Sequence, residues 1–207
     1  MKASWDSTWE NIYRSREWGR YPPEELVRFV ARNFYSAVER SKVKFLDLGC
    51  GTGSAAWFIA REGFAVYGID GSETAIKIAK ERFAKEGLHG DFRAGDIVNL
   101  DYPDNFFDCI VDISAIQHNK PENIKIILQE CLRVLKPNGN MFSMMLGSKS
   151  KFDMLKNGYT HLSTKKEIES FFSIFGEAVI DVSERTDKDN FFSHFVVQAR
   201  KLMNDER

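Results

Sequence analysis

Residues 43–54 read VKFLDLGCGTGS, an apolar run that ends in Gly49, Gly51 and Gly53. Glycine bares the backbone N–H groups and accepts left-handed angles, so such a loop lets a ligand lie directly on main chain. One acid, Asp47, stands just before the loop. A second, Asp70, closes the next apolar run about twenty residues on, where a carboxylate can accept hydrogen bonds from ribose hydroxyls. That context also allows NAD, but the dinucleotide fingerprint G-x-G-x-x-G is not met: the third glycine is Gly53, and Ser54 follows it. Asp47 is poor company for a pyrophosphate and good company for a cation or amine. The chemistry expected of the loop is the holding of a ribonucleoside that carries a positive group.

His118, preceded by Gln117, is the candidate general base, because imidazole titrates near neutrality. His161, in a loop, and His194, opening a strand, rank behind it, and His89 belongs to a surface turn. The three cysteines, Cys50, Cys109 and Cys131, are far apart, with no CxxC pair to suggest zinc and an odd count that suggests no disulfide framework. No metal is expected.

Elements that could position these residues follow from the apolar pattern. Strand-like runs are expected at 43–48, 65–70, 91–94, 107–113, 140–146, 178–185 and 194–201. Between most of them lie helical patterns. Ser72 is the expected N-cap of a helix that stops at Gly87, and Pro121 opens another whose stripe is Ile124, Ile127, Leu128, Cys131 and Leu135. Pro137-Asn138-Gly139 should end that second helix and turn the chain. Alternating strands and helices imply an α/β fold with a parallel, doubly wound sheet. No helix fits between 185 and 194, so the last two strands should form an antiparallel hairpin.

Residues 1–42 differ: Trp5, Trp9, Trp18, Tyr13 and Tyr21 precede Pro22-Pro23 and a helix with the stripe Leu26, Val30 and Phe34. They read as a helical cover over the strand ends, with 43–207 as the remainder of a single domain. At 207 residues the chain can bury a full core. Its net charge of −1 lacks the basic excess of a protein held to nucleic acid by phosphate contacts. No signal peptide or bilayer-spanning run is visible, so the expected setting is cytoplasmic, without membrane, as a monomer or homodimer.

Residues 43–146 resemble the class I S-adenosylmethionine-dependent methyltransferases. The resemblance rests on FLDLGCGTG, VYGIDGS (66–72), AGDI (94–97), FDCIVDISAIQHN (107–119) and LRVLKPNG (132–139), five ordered motifs over about half the chain. It implies a Rossmann-like seven-stranded sheet of order 3-2-1-4-5-7-6 and S-adenosyl-L-methionine as cofactor. It also implies that Gly49, Gly51 and Gly53 hold the methionyl part, with Asp47 near its amino group. Asp70 is implied at the ribose hydroxyls, Gly71 and Ser72 at the adenosine edge, and Asp96 at the adenine amino group with Ile97 on the ring. Asp112, Ile113 and Ser114 are implied as the floor beside the sulfonium. Arg20, with Tyr13, is a candidate to pair with a carboxylate of the cofactor or of an acidic substrate.

The expected reaction moves a methyl group to an oxygen or nitrogen of a small polar molecule, such as a sugar or secondary metabolite. After the fourth strand the chain reads DISA, not the Asn/Asp-Pro-Pro-aromatic motif of amino-methylating DNA enzymes. The alternatives are an RNA or protein methyltransferase and a cofactor-binding module without transfer. Residues 147–163, long and basic, are expected as a lid over the site.

Overall fold

The structure, a computed structural model, describes residues 5–152 and 159–203. Seven strands form one sheet of order β3-β2-β1-β4-β5-β7-β6. They are β1 (Lys44–Leu48), β2 (Ala65–Asp70), β3 (Asp91–Ala94), β4 (Phe107–Ile113), β5 (Leu135–Leu146), β6 (Glu177–Asp187) and β7 (Asn190–Arg200). β1 pairs in parallel with β2 and β4, and β7 is antiparallel to both β5 and β6. The order reverses between β1 and β4, which places the switch point, and so the ligand crevice, beyond the carboxyl ends of those two strands.

Among the described residues there are six α-helices: α1 (Thr8–Ser15), α2 (Glu24–Phe34), α3 (Ser54–Arg61), α4 (Glu73–Glu86), α5 (Pro121–Val134) and α6 (Lys165–Phe172), of which α2–α6 cover the two faces. One face packs Ile124, Ile127, Leu128 and Cys131 of α5 with Ile168, Phe171 and Phe172 of α6. The other packs α2, α3 and α4, through Leu26, Phe29, Ile59 and Phe83. Helix α2 lies in the same apolar layer as the sheet: Phe34 meets Phe45 edge-on at 4.8 Å between ring centres, and Phe29 meets Phe142 at 5.1 Å. The central strands are buried on both faces, which is why they read as apolar runs without alternation.

Helix α4 begins as expected: the Ser72 hydroxyl accepts from the Ala75 N–H at 3.1 Å, and Gly87 closes the helix at φ 66°. Two expectations are corrected. β5 begins at Leu135, directly after α5. Phe107 pairs with Leu135 and Cys109 with Asn140, so Pro137-Asn138-Gly139 is a bulge inside the strand rather than a turn before it. Asn138 takes φ 62° there, a left-handed angle that asparagine tolerates. The hairpin is also longer than expected, with strands that run to Asp187 and Asn190 around Lys188 at φ 53°. Polar residues on an exposed edge strand hide strand character from an apolar pattern.

Candidate active site

The loop between β1 and α3 is built from left-handed glycines, with φ 65° at Gly49, 51° at Gly51 and 80° at Gly53. A Cβ on Gly51 would stand 2.7 Å from the Tyr13 hydroxyl, and one on Gly49 would collide with Ala115. The loop is held by the two acids. Asp70 accepts from the Gly51 N–H and the Ser72 N–H, each at 2.8 Å, so one carboxylate ties the glycine loop to the end of β2. Asp47 accepts from the Ala56 N–H at 2.9 Å and so caps α3, whose N-cap Gly53 has no side chain to do so. Each carboxylate oxygen retains a further lone pair.

Burial pushes the Asp47 carboxyl up to about 7, with the charges of Asp70 and Asp112 adding to it and the Ala56 N–H opposing. Burial also raises Asp70, against the pull of the Ser72 and Gly51 N–H groups. Two buried acids beside bare backbone form a site that a cation would relieve.

The loop opens on a cavity of about 640 Å³. Of the residues singled out in the sequence, Tyr13, Asp47, Gly49, Gly51 and Asp70 line it, as do Gly71, Ile97, Ile113, Ser114 and His118. Ser114 holds φ 61°, an unusual angle for a serine, with its N–H bonded to the Met144 carbonyl at 2.9 Å.

Five others stand outside the lining. Gly53 faces α4, where a Cβ would lie 3.3 Å from Ala79. The Ser72 hydroxyl is occupied by the α4 cap and by a 2.5 Å bond to Glu10. Asp96 accepts from the Val98 N–H at 3.2 Å. Asp112 is 0 % exposed and accepts from the Ala115 and Ile116 N–H groups and, at 2.6 Å, from the Ser143 hydroxyl. Its carboxylate therefore holds the turn after β4 rather than the cavity floor, and burial pushes it up to about 6. Arg20 is exposed, and among the described residues its one hydrogen bond is at its carbonyl, which accepts from the Arg82 guanidinium at 2.9 Å.

The amino-terminal helix crosses the cavity mouth. Glu10 of α1 accepts from the hydroxyls of Ser72 and Thr74, both at 2.5 Å, at the start of α4. A Cβ on Gly71 would run into the Trp5 indole. On the far side Trp9 meets His118 edge-on at 4.5 Å, and Asp6 accepts from the Tyr159 N–H at 3.1 Å. His118 Nδ1 lies 3.1 Å from both the Tyr159 carbonyl and the Thr160 hydroxyl. A carbonyl partner assigns the proton to Nδ1, which leaves Nε2, 3.5 Å from the Gln117 amide nitrogen, as the basic nitrogen. Burial holds this imidazole below its ordinary value, so it is neutral near pH 7.

The end of the cavity away from the glycine loop escaped the sequence reading. Glu25 of α2, Ser183 and Arg185 of β6, and Phe192 and His194 of β7 line it. Register explains the grouping: Ser183 pairs with His194 and Arg185 with Phe192, so all four side chains share one face. The only available signal was period-two spacing within a hairpin that reads as polar. Residues 153–158, the middle of the expected lid, lie outside the described residues. Its ends are tied to the sheet: the Lys151 N–H donates to the Phe191 carbonyl at 2.7 Å, and the Ser163 N–H to the Leu146 carbonyl at 3.0 Å. Among the described residues no cluster of His, Cys, Asp and Glu is arranged to hold a metal, and no helix is long and apolar enough to cross a membrane.

The fold and the glycine loop define a Rossmann-like nucleoside-binding domain of the methyltransferase type. Residues 45–139 match the family model described as a methyltransferase domain. Over 154 residues the chain is 30% identical to methyltransferase GfsG of Streptomyces halstedii, spanning 70% of this chain and 55% of the relative. It is 33% identical over 122 residues to a ubiquinone biosynthesis O-methyltransferase of Chelativorans sp., covering 59% of this chain and 47% of the other. The chain thus spans about half the length of these curated relatives. A crystal structure of a SAM-dependent methyltransferase from Methanosarcina mazei superposes with a TM-score of 0.69 at 23% identity, over 78% of this chain and 93% of that one. Residues 45–139 thus form a methyltransferase domain, similar to those of class I S-adenosylmethionine-dependent enzymes, whose cofactor is S-adenosylmethionine.

Proposed function

We propose that this protein transfers the S-adenosylmethionine methyl group to an oxygen or nitrogen of a small molecule. The observation that carries the reading is the pair of buried acids, Asp47 and Asp70, beside a backbone bared by Gly49 and Gly51. The donor set fits the cofactor. Asp70 suits the ribose hydroxyls, Asp47 the positive amino group, and Gly71 and Ile97 the flat adenine. When bound, the cofactor supplies a methyl group already activated by its sulfonium.

The remaining work belongs to the chain. Ser114 and Ala115 bound the floor between the two ends of the cavity, and Trp5, Trp9 and Tyr13 roof it against water. Alignment of this kind contributes several kcal/mol, up to about 7–11 in ideal intramolecular reactions. His118, with Nδ1 fixed by the Tyr159 carbonyl, presents Nε2 to receive the proton of a hydroxyl or ammonium acceptor.

The cavity continues past Ser114 to Phe192, which gives an acceptor room and favours transfer over cofactor binding alone. The lining holds Asp6, Glu25, Asp47 and Asp70 against Arg185, a balance that disfavours nucleic acid as acceptor.

Calorimetric titration of S-adenosylhomocysteine and NAD tests the reading. The homocysteine compound should bind, and Asp70→Ala should weaken it at least about tenfold, since hydrogen bonds to a charged group contribute about 1.5–3 kcal/mol. Preference for NAD, or indifference to Asp70→Ala, overturns it. Labelled S-adenosylmethionine with a panel of hydroxyl and amine acceptors then tests transfer.

A further inference from the structure

The cavity is electrostatically two-ended. Asp47 and Asp70 stand at the glycine loop, and Arg185 stands at the far end, on β6. Among the described lining residues Arg185 is the only lysine or arginine. Its guanidinium lies over the Phe192 ring, 5.1 Å from the centroid, and forms no salt bridge with any described residue. A guanidinium seated on a ring face keeps its fork of N–H donors at the rim, where an oxyanion can take two of them.

The nearby acid makes no salt bridge with it: Glu25 accepts from the Ser183 hydroxyl at 2.5 Å, and its carboxyl is drawn below the usual range by that bond and by the charges of His194 and Arg185. Phe152 stacks on the opposite partner of this group, with its ring 5.1 Å from Phe192, and Met144 and Leu146 add apolar wall. The far end therefore offers an exposed guanidinium with no salt bridge to a described residue, set among aromatic and apolar wall with Glu25 and His194 beside it.

We propose that Arg185 makes this end an anion subsite, so that the methyl acceptor is a small molecule with an apolar or aromatic body and a carboxylate or phosphate group. The proposal rests on the transfer reading above and names the substrate class for that site. Charge also sets the acceptor's direction. Arg185 draws the anionic group to the far end, so the other end of the molecule is turned toward Ser114 and His118.

The test uses the whole chain saturated with S-adenosylhomocysteine. Benzoate and phenyl phosphate are titrated beside benzamide, a neutral molecule of benzoate's shape, with binding followed by NMR. At least one anion should bind about fivefold or more tightly than benzamide, and which one separates carboxylate from phosphate recognition. Arg185→Gln should abolish that preference, Arg185→Lys should keep part of it, and both variants should bind S-adenosylhomocysteine like the wild type. Equal affinity for the three probes, no binding of either anion, or a preference that survives Arg185→Gln overturns the proposal. Failure of the wild type to bind S-adenosylhomocysteine overturns the transfer reading, and this proposal with it.

Discussion

Asp47 and Asp112 are aspartates of neighbouring strands, both almost wholly buried, yet they do different things. Asp112 has three donors inside the protein, two backbone N–H groups and the Ser143 hydroxyl. Asp47 has the Ala56 N–H and the cavity. Asp47 therefore carries a desolvation cost that a cationic ligand relieves. Its carboxyl rises from 3.8 to about 7 on folding, so between those values the folded chain binds a proton that the unfolded chain does not. Stability must fall as pH rises across that window and level off above it. Asp47→Asn keeps an acceptor for Ala56 and removes the charge. Urea melts should show the variant gaining on the wild type between about pH 4 and pH 8, by on the order of 2 kcal/mol, while cofactor affinity drops. An unchanged difference across that range would mean that Asp47 is not held protonated.

His118 belongs to the same scale. If its Nε2 receives the acceptor proton, His118→Gln should cut kcat by about 10²–10⁴. The wild-type kcat/KM should rise with pH through a value below the ordinary 6.5, since burial lowers this group and the neutral form is the base. A flat pH profile with near-normal kcat in the variant would leave His118 only a wall of the cavity. Glycines, strand-end acids and this histidine were legible in the sequence because their types and spacing are local facts. Arg20 is exposed and outside the cavity lining, and spacing alone cannot tell which side of a loop a side chain takes.

At the scale of elements, α1 is a strap and Glu10 is its clasp. The Glu10 carboxylate is drawn below the usual range by the hydroxyls of Ser72 and Thr74. Removing it leaves α1 with the aromatic contacts of Trp5, Trp9 and Tyr13. Glu10→Ala should accelerate amide exchange across 8–15 at least about tenfold, given about 1.5–3 kcal/mol for charge-assisted hydrogen bonds, and leave β1 and β4 unchanged. Exchange equal to wild type would show that Glu10 is not what holds the helix. The hairpin of β6 and β7 was recognised as antiparallel, but its role in the cavity was not. Ser183, Arg185, Phe192 and His194 become neighbours only through cross-strand register, which a single-strand pattern does not contain.

For the molecule as a whole, the amino-terminal cover divides into two parts of unequal importance. Helix α1 bridges polar groups at the mouth, whereas α2 inserts Leu26, Phe29, Val30 and Phe34 into the same core as β1 and β5. Phe29→Ala should cost about 3–5 kcal/mol, as large-to-small core changes of phenylalanine do. A chain begun at residue 17 should keep a cooperative thermal melt, since α1 supplies only Ile12 to the buried set. Similar melting of Phe29→Ala and wild type would show that α2 is peripheral.

Read alone, the sequence determined the α/β class, the sheet order through its motifs, and the acids and glycines gathered at the loop after β1. These depend on periodicity and on backbone angles that glycine permits, both written locally along the chain. Only the tertiary structure decided that Asp112 turns into the protein, that Arg20 faces solvent, and that Arg185 supplies the cation at the far end of the cavity. Those outcomes depend on which strands lie side by side and in what register. Such partners are distant in the chain, and no local pattern encodes the direction in which a buried carboxylate or an edge-strand arginine finds them.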